Sequence, residues 1–290
     1  MKTRIKFAAL ALLLSTLNSQ LSTSFASTTI DPSDHYAYGA NIGWLNWRGD
    51  VANGAVIGEY VCSGYIYAAN VGWINLGSGA PTNGIYYQNL SANDFGVNQD
   101  GLGNLRGFAW GANIGWVNFE ATGAPAVDLN TGRFSGCIWS ANCGWISLSN
   151  AVAHVQTDTI QPAFLAPDGL PIAWLLANFG TTNVDANADP DHDGMSNLQE
   201  YQAGTNPNNV NDSLWITAIT RDSPPSTYTT LWWPGKPTRF YGVQQRNTLN
   251  PSDSWLEFYT STIPGVTSLG FNQTADQQFF RVRAFRPLMP

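Results

Sequence analysis

The chain has 290 residues, a formal net charge of −7 and only 11% charged residues, set against 13% aromatic ones and 28 Gly. Its first few residues hold 3 of the 13 Lys and Arg, so an exported chain keeps 10 of them against 20 Asp and Glu, with Lys236 as its one lysine. A surface that is polar through amides and hydroxyls and carries an excess of acid excludes nucleic acid and anionic lipid as partners.

Lys2, Arg4 and Lys6 precede an apolar run over residues 7–14 and a polar stretch ending Ser24-Phe25-Ala26. This is the layout of a secretory signal peptide, with cleavage expected after Ala26. The run is far shorter than the roughly 20 residues of a membrane-spanning helix. A secreted, extracellular protein with no anchor and no membrane insertion is therefore expected, long enough for two or three modules with cores of their own.

Residues 27–152 read as the first module. One motif returns four times: YGANIGWLNW ending at Trp47, YAANVGWINL ending at Leu76, WGANIGWVNF ending at Phe119 and WSANCGWISL ending at Leu148. Each copy reads as strand, turn, strand, and the Ala-Asn-x-Gly turn exploits the ease with which Asn and Gly take positive φ. Additional strands are predicted at 95–98 and 127–129. Because side chains alternate across a strand, Leu45 and Trp47, Ile74 and Leu76, Val117 and Phe119, and Ile146 and Leu148 share a core face. The other face repeats Trp beside a short polar residue: Trp44 and Asn46, Trp73 and Asn75, Trp116 and Asn118, Trp145 and Ser147. That face is either a further packed layer or a carbohydrate-binding surface, where indole planes receive sugar C–H groups and amides bond hydroxyls. Its regularity favours an architectural role. The pattern leaves solenoid, sandwich and propeller open.

Three cysteines follow the leader. Cys137 and Cys143 flank a predicted turn and could meet in a disulfide across a hairpin. Alternatively Cys143 is simply buried where the sister copies have Ile42, Val71 and Ile114. Neither these two nor Cys62 has zinc-ligand spacing.

The repeated segment resembles the Gly-Tyr-Ala-Trp-Ser-x-Asn-x-Gly-Trp-Ile-Asn-Phe, or GxxWxANxGWINF-type, repeats of exported bacterial proteins. The resemblance implies a secreted, cell-surface repeat module and brings no activity with it.

Residues 153–210 form a linker punctuated by Pro162, Pro167 and Pro171, with a short helix predicted over 171–180 and stopped by Gly180. Residues 189–200 then have the spacing of an EF-hand-like calcium loop. Calcium takes about six to eight hard oxygens. Asp189, Asp191 and Asp193 supply the first carboxylates, Gly194 the sharp turn, Met195 a backbone carbonyl, Asn197 a side-chain oxygen and Glu200 the closing carboxylate. Carboxylates set this close repel one another unless a cation lies between them, so Ca2+ is the expected cofactor. Ser196 stands where paired EF-hands carry an aliphatic residue, which marks an unpaired, structural loop. Asp185 and Asn187 continue the alternate-residue pattern and are the candidate ligands of a second ion. The stretch to Pro207, with its Asp-Gly, Glu-Tyr and Ala-Gly-Thr-Asn-Pro, resembles the calcium loops of thrombospondin type 3 repeats and dockerins, which implies the same ligand roles at these residues. A dockerin needs two such loops, so cohesin docking is disfavoured.

Residues 211–290 read as a small β-sandwich, with strands predicted at 214–219, 227–233, 240–245, 255–259, 267–271 and 279–285. Trp233-Pro234-Gly235, Tyr241, Gln244, Trp255 and Phe280-Arg281-Val282 resemble a fibronectin type III-like module. Arg281, Arg283 and Arg286 read as a solvated basic strip.

The expected fold is mainly β: an antiparallel hairpin-repeat domain, a short helical calcium linker and a C-terminal sandwich. The residues nominate no catalytic group. His35, His154 and His192 lie in unrelated contexts, and Asp50, Glu59, Asp94 and Glu120 are too scattered for a glycosidase pair. The expected function is that of a secreted calcium-binding structural or adhesion protein rather than an enzyme, its partner a surface glycan or an extracellular protein. The alternative is carbohydrate binding through the repeated Trp/Asn face. Calcium is expected to order the connection between modules.

Overall fold

The computed structural model describes residues 28–223, 226–273, 277–286 and 288, so the predicted leader lies outside the described residues. The chain is mainly β, with antiparallel sheets and two short helices. In chain order the first module runs β1 (Ile30–Gly39), β2 (Gly43–Asn46), β3 (Val56–Ile57), β4 (Cys62–Ala68), β5 (Gly72–Ser78), β6 (Val97–Gln99), β7 (Leu105–Gly111), β8 (Gly115–Asn118), β9 (Ala126–Val127), β10 (Phe134–Ser135), β11 (Cys137–Ser140), β12 (Gly144–Ser147) and β13 (Val155–Thr157).

Each repeat is one hairpin: β1–β2, β4–β5, β7–β8 and β11–β12. Neighbouring hairpins pair β2 with β4, β5 with β7 and β8 with β11, and β12 returns to pair with β1. The sheet therefore closes on itself as an eight-stranded up-and-down barrel, which leaves no strand edge among these eight. The alternation predicted from sequence sets its two faces. Leu45, Trp47, Ile74, Leu76, Val117, Phe119, Ile146 and Leu148 are all buried inside.

The repeated turn explains its own sequence. The i+3 amide donates to Gly39 O, Ala68 O, Gly111 O and Ser140 O, each at 3.1–3.2 Å. The next residue, Gly43, Gly72, Gly115 or Gly144, takes φ between 70° and 80°. Only the glycine is left-handed, because the Asn does not occupy that region. Asn serves a different purpose: Nδ2 of Asn70 donates to Ile42 O, Asn113 to Val71 O and Asn142 to Ile114 O, and Asn41 closes the circle by donating to Cys143 O, all at 3.0–3.1 Å. Four hairpin tips are thus stapled head to tail, and the residues between Asn and Gly, Ile42, Val71, Ile114 and Cys143, plug that end of the barrel. Asn70→Ala is expected to lower barrel stability by about 1 kcal/mol in a denaturant titration. Asn70→Asp, isosteric but without the donor, should cost at least as much; a neutral Asp would show that the turn, not the staple, needs this residue.

Cys143 is buried in the core and all three cysteines are reduced. The register shows why no hairpin disulfide forms. Cys137 pairs with Ser147 at one end of the hairpin and Cys143 lies in the turn at the other, beyond Ser140↔Gly144. Three residues of strand, about 10 Å, separate them, more than the roughly 7 Å limit for Cα atoms of a disulfide. The module also extends past residue 152, because β13 pairs with β1 and Val155 and Ile160 belong to the barrel core.

The linker carries α1 (Ile172–Phe179), capped by left-handed Gly180, and α2 (Asn197–Ala203). The C-terminal module is two three-stranded sheets. One joins β14 (Ala218–Arg221), β15 (Tyr228–Trp232) and β18 (Ser268–Asn272), and the other β17 (Leu256–Thr260), β16 (Phe240–Arg246) and β19 (Phe279–Phe285), around Leu231, Trp233, Tyr241 and Val243. Two residues of the expected solvated basic strip, Arg281 and Arg283, are exposed, and only Arg286 turns inward to a partly buried contact. Arg281 bonds Gln244 and stacks on Trp255, Arg283 pairs with Glu257 at 2.7 Å, and Arg286 pairs with Glu59 of the barrel module.

Candidate functional site

The loop over residues 189–200 is folded by its own polar side chains. Gly194 N–H donates to Asp189 Oδ2 (3.0 Å), Asp193 N–H to Asp191 Oδ1 (3.2 Å) and Met195 N–H to Asp193 Oδ1 (2.7 Å). Asn197 Nδ2 donates to Asp185 O at 2.8 Å. His192 and Gly194 take left-handed φ of 63° and 94° to make the bend. Several side-chain oxygens of the loop are left over. Asp189 Oδ1, Asp191 Oδ2, Asp193 Oδ2, Asn197 Oδ1 and both carboxylate oxygens of Glu200 are buried with no protein donor in good hydrogen-bond geometry, although the Thr205 side chain interacts with Glu200. Asn197 and Glu200 are completely inaccessible, and carboxylate oxygens of the three aspartates lie within 4.8 Å of one another.

Buried acceptors are ordinarily satisfied, and each left without a partner costs roughly 1–3 kcal/mol or more when charged. Oxygens of Asp189, Asp191 and Asp193 share one space that a cation could fill, and Glu200 lies near enough to feel all three charges. Burial and the carboxylates of Asp191, Asp193 and Asp189 push Glu200 up to about 8. With the Met195 carbonyl that the spacing supplies, these residues could offer an all-oxygen donor set, which suits calcium better than zinc.

The Asp185 carboxylate does not join this cluster. Asp185 Oδ1 accepts from Asn187 N–H at 2.8 Å, both residues are exposed, and the metal-capable cluster among the described residues is Asp189, Asp191 and Asp193. Ser196, the departure from a paired EF-hand, is the N-cap of α2 in a capping box with Gln199. Met195 contributes beyond its carbonyl: Leu214 N–H donates to its sulfur at 3.1 Å, tying the loop to the approach to the C-terminal module.

Behind the loop, α2 joins the modules. Arg239, buried, donates from Nε to Gln202 O (2.7 Å) and from Nη2 to Tyr201 O (2.8 Å), holding the last carbonyls of the helix. Tyr201 Oη donates to Glu59 Oε2 at 3.1 Å, and the Arg286 guanidinium, paired with the same carboxylate, lies 4.3 Å over the Tyr201 ring. The chain beyond β19 reaches the barrel too, where Ile160 N–H donates to Leu288 O and the Leu288 side chain packs on the core. Sequence reasoning missed Glu59, Arg239 and Arg286. No spacing signal links them, because their partners are hundreds of residues apart or are backbone carbonyls.

The repeated Trp face is on the outside of the barrel. Trp44, Trp73, Trp116 and Trp145 are 44–50% exposed, each opposite an aromatic on its partner strand: Tyr38, Tyr67, Trp110 and Trp139. The first three rings meet their partners at interplanar angles of 55–64°, so they are tilted, not coplanar. A closed barrel points its four faces in different directions. The polar neighbours are occupied as well. Oδ1 of Asn46, Asn75 and Asn118 accepts from Gly49, Gly77 and Glu120 N–H, and Ser147 Oγ donates to Ser149 O. Their bonds to nearby backbone leave no ready set of ligand partners.

Comparison with known family models, curated proteins and solved structures gives no significant match.

Proposed function

We propose that this chain is an exported, calcium-ordered structural or adhesion protein without catalytic activity, in which the loop at 189–200 holds one Ca2+ and fastens the barrel to the C-terminal module. The observation that carries this reading is a twelve-residue loop holding six buried side-chain oxygens, with carboxylate oxygens of Asp189, Asp191 and Asp193 within 4.8 Å of one another. The half-exposed aromatic belt of the barrel supports an extracellular contact role. Each histidine has a structural placement: His35 packs on Tyr36, His154 faces Asp34 at 3.6 Å, and His192 makes the bend of the loop.

Calorimetric titration of the mature chain with calcium tests the reading, with Asp193→Ala and Glu200→Ala as controls. One saturable site lost in both variants is expected; no binding up to about the millimolar range of weak extracellular sites would sink it. The protons provide a second readout. With Glu200 raised from 4.5 to about 8, the folded metal-free loop holds a proton that the unfolded chain has released. Its stability therefore falls as pH rises from 4.5 through about 8, and calcium, which needs the carboxylate, removes that dependence. Titrations at pH 7 in buffers of different ionisation heat should show up to about one proton released per calcium bound, and almost none at pH 9.

A further inference from the structure

The four outer Trp residues are alike in sequence, but what stands before them differs. Short connections press glycines onto two of them: a Cβ on Gly49 would come 3.3 Å from Cζ3 of Trp73, and one on Gly123 would come 3.0 Å from Cζ3 of Trp145. Before Trp116 the connection from β5 to β7 is long, which accounts for the 43-residue spacing between Asn70 and Asn113 against 29 elsewhere. This connection builds a wall beside the ring. Phe95 stands edge-on to Trp116 (centroids 5.2 Å, 77°), Phe108 adds a second ring (6.0 Å, 69°), and Asn89, Leu90, Ser91 and Ala92 complete a cleft of about 420 Å³.

The wall is held from behind. Buried Asp94 accepts from Thr82 and Gln88 N–H, both at 3.0 Å. The Asn98 amide bonds both backbone groups of Tyr87, whose buried ring fills the space over Gly77 and Gly96. Asn89 takes a left-handed φ of 57°, fixed by its Oδ1 accepting from Gly96 N–H at 3.0 Å. This tied-down corner presents Leu90 at 86% exposure. A leucine so exposed contributes nothing to the core, and the bonds behind it hold it in place on the rim of the cleft.

Charge decides the class of ligand. No Asp, Glu, Lys, Arg or His lines the cleft. A phosphate, carboxylate or ammonium group would lose hydration there without gaining a partner. The cleft is open, its rings meet at steep angles, and Trp116 keeps 44% of its surface exposed, so it suits a flat ring laid on the indole better than a side chain enclosed on all sides. We propose that this cleft of the third repeat binds a neutral hexopyranose unit of a polysaccharide, its C–H face on Trp116 and its hydroxyls toward Ser91 and solvent. The site stands independently of the calcium loop and differs from a face shared by all four repeats.

The test uses the mature chain with calcium present. Affinity electrophoresis runs it through gels containing neutral polysaccharides (soluble β-glucan, xylan, mannan, starch), with heparin and alginate as anionic controls. Trp116→Ala, Leu90→Ser and Ala92→Trp, which fills the cleft, are compared with Trp73→Ala. Retardation by at least one neutral polysaccharide is expected, reduced about tenfold or more in Trp116→Ala and Ala92→Trp, less in Leu90→Ser, and unchanged in Trp73→Ala. The two exterior substitutions Leu90→Ser and Ala92→Trp keep the test decisive if Trp116→Ala fails to fold. No retardation by any neutral polysaccharide, an equal loss in Trp73→Ala, or binding only of hydrophobic peptides each overturns the proposal.

Discussion

Chelation of the mature chain is expected to free the C-terminal module from the barrel while the barrel stays folded. The reason lies in α2, whose seven residues are too few to persist alone. Glu200 sits in its first turn as the proposed closing ligand, and at its far end Tyr201 and Gln202 receive Arg239, while the Tyr201 ring carries Arg286 and its hydroxyl reaches Glu59. Removing the cation leaves several carboxylates facing one another at the helix start, and the contacts among the three modules share the helix that then frays. Calcium at one hundred times its dissociation constant stabilises the closed arrangement by about 2.7 kcal/mol, roughly a hundredfold in the population of open molecules. Small-angle scattering should show a larger radius of gyration in chelator, and limited proteolysis should show new cleavage within residues 180–214. Glu200→Ala should behave this way even with calcium present. The barrel melting transition should barely move, since its closure depends on the Asn staples and its own core. A barrel that unfolds with the loop, or a scattering curve indifferent to calcium, would rule this coupling out.

The largest effect on stability is expected at Trp47. It is fully buried in the barrel, with Phe134 at 5.1 Å and Phe119 at 6.3 Å between ring centroids. Trp47→Ala removes the largest side chain of that layer, where a cost of about 3–5 kcal/mol is typical, on the order of 10 °C in melting temperature for a module of this size. Trp47→Phe should behave very differently. The indole Nε1 is buried without an acceptor, a penalty that Phe does not carry, and the sister repeats place Leu76, Phe119 and Leu148 at the same register. A change within about 1 kcal/mol is expected for Phe. Thermal melting followed by circular dichroism compares the two; a Phe variant as damaged as Ala would mean that the indole shape, not its burial, matters here.

Residues close in sequence settled much of this molecule. Period-two alternation separated Leu45 and Trp47 from Trp44 and Asn46, because a strand sends neighbouring side chains to opposite faces whatever sheet it joins. Carboxylate oxygens of Asp189, Asp191 and Asp193 come together because a loop with a left-handed glycine is short enough for spacing alone to dictate geometry. The C-terminal strands were legible for the same reason, except that the first, predicted at 214–219, forms at Ala218–Arg221. Tertiary structure decided what depends on partners far along the chain. Barrel closure rests on β12 finding β1, Asn41 donates to a carbonyl 102 residues away, and the long connection before Trp116 lies over one of four otherwise equivalent aromatic faces. The same holds for the junction at Glu59, Tyr201 and Arg286, where an acid from one module, a ring from a helix and a cation from another meet. Nothing in their spacing announces this meeting, because it is set by how three separately folded cores pack, and packing selects among many registers that local patterns leave equally allowed.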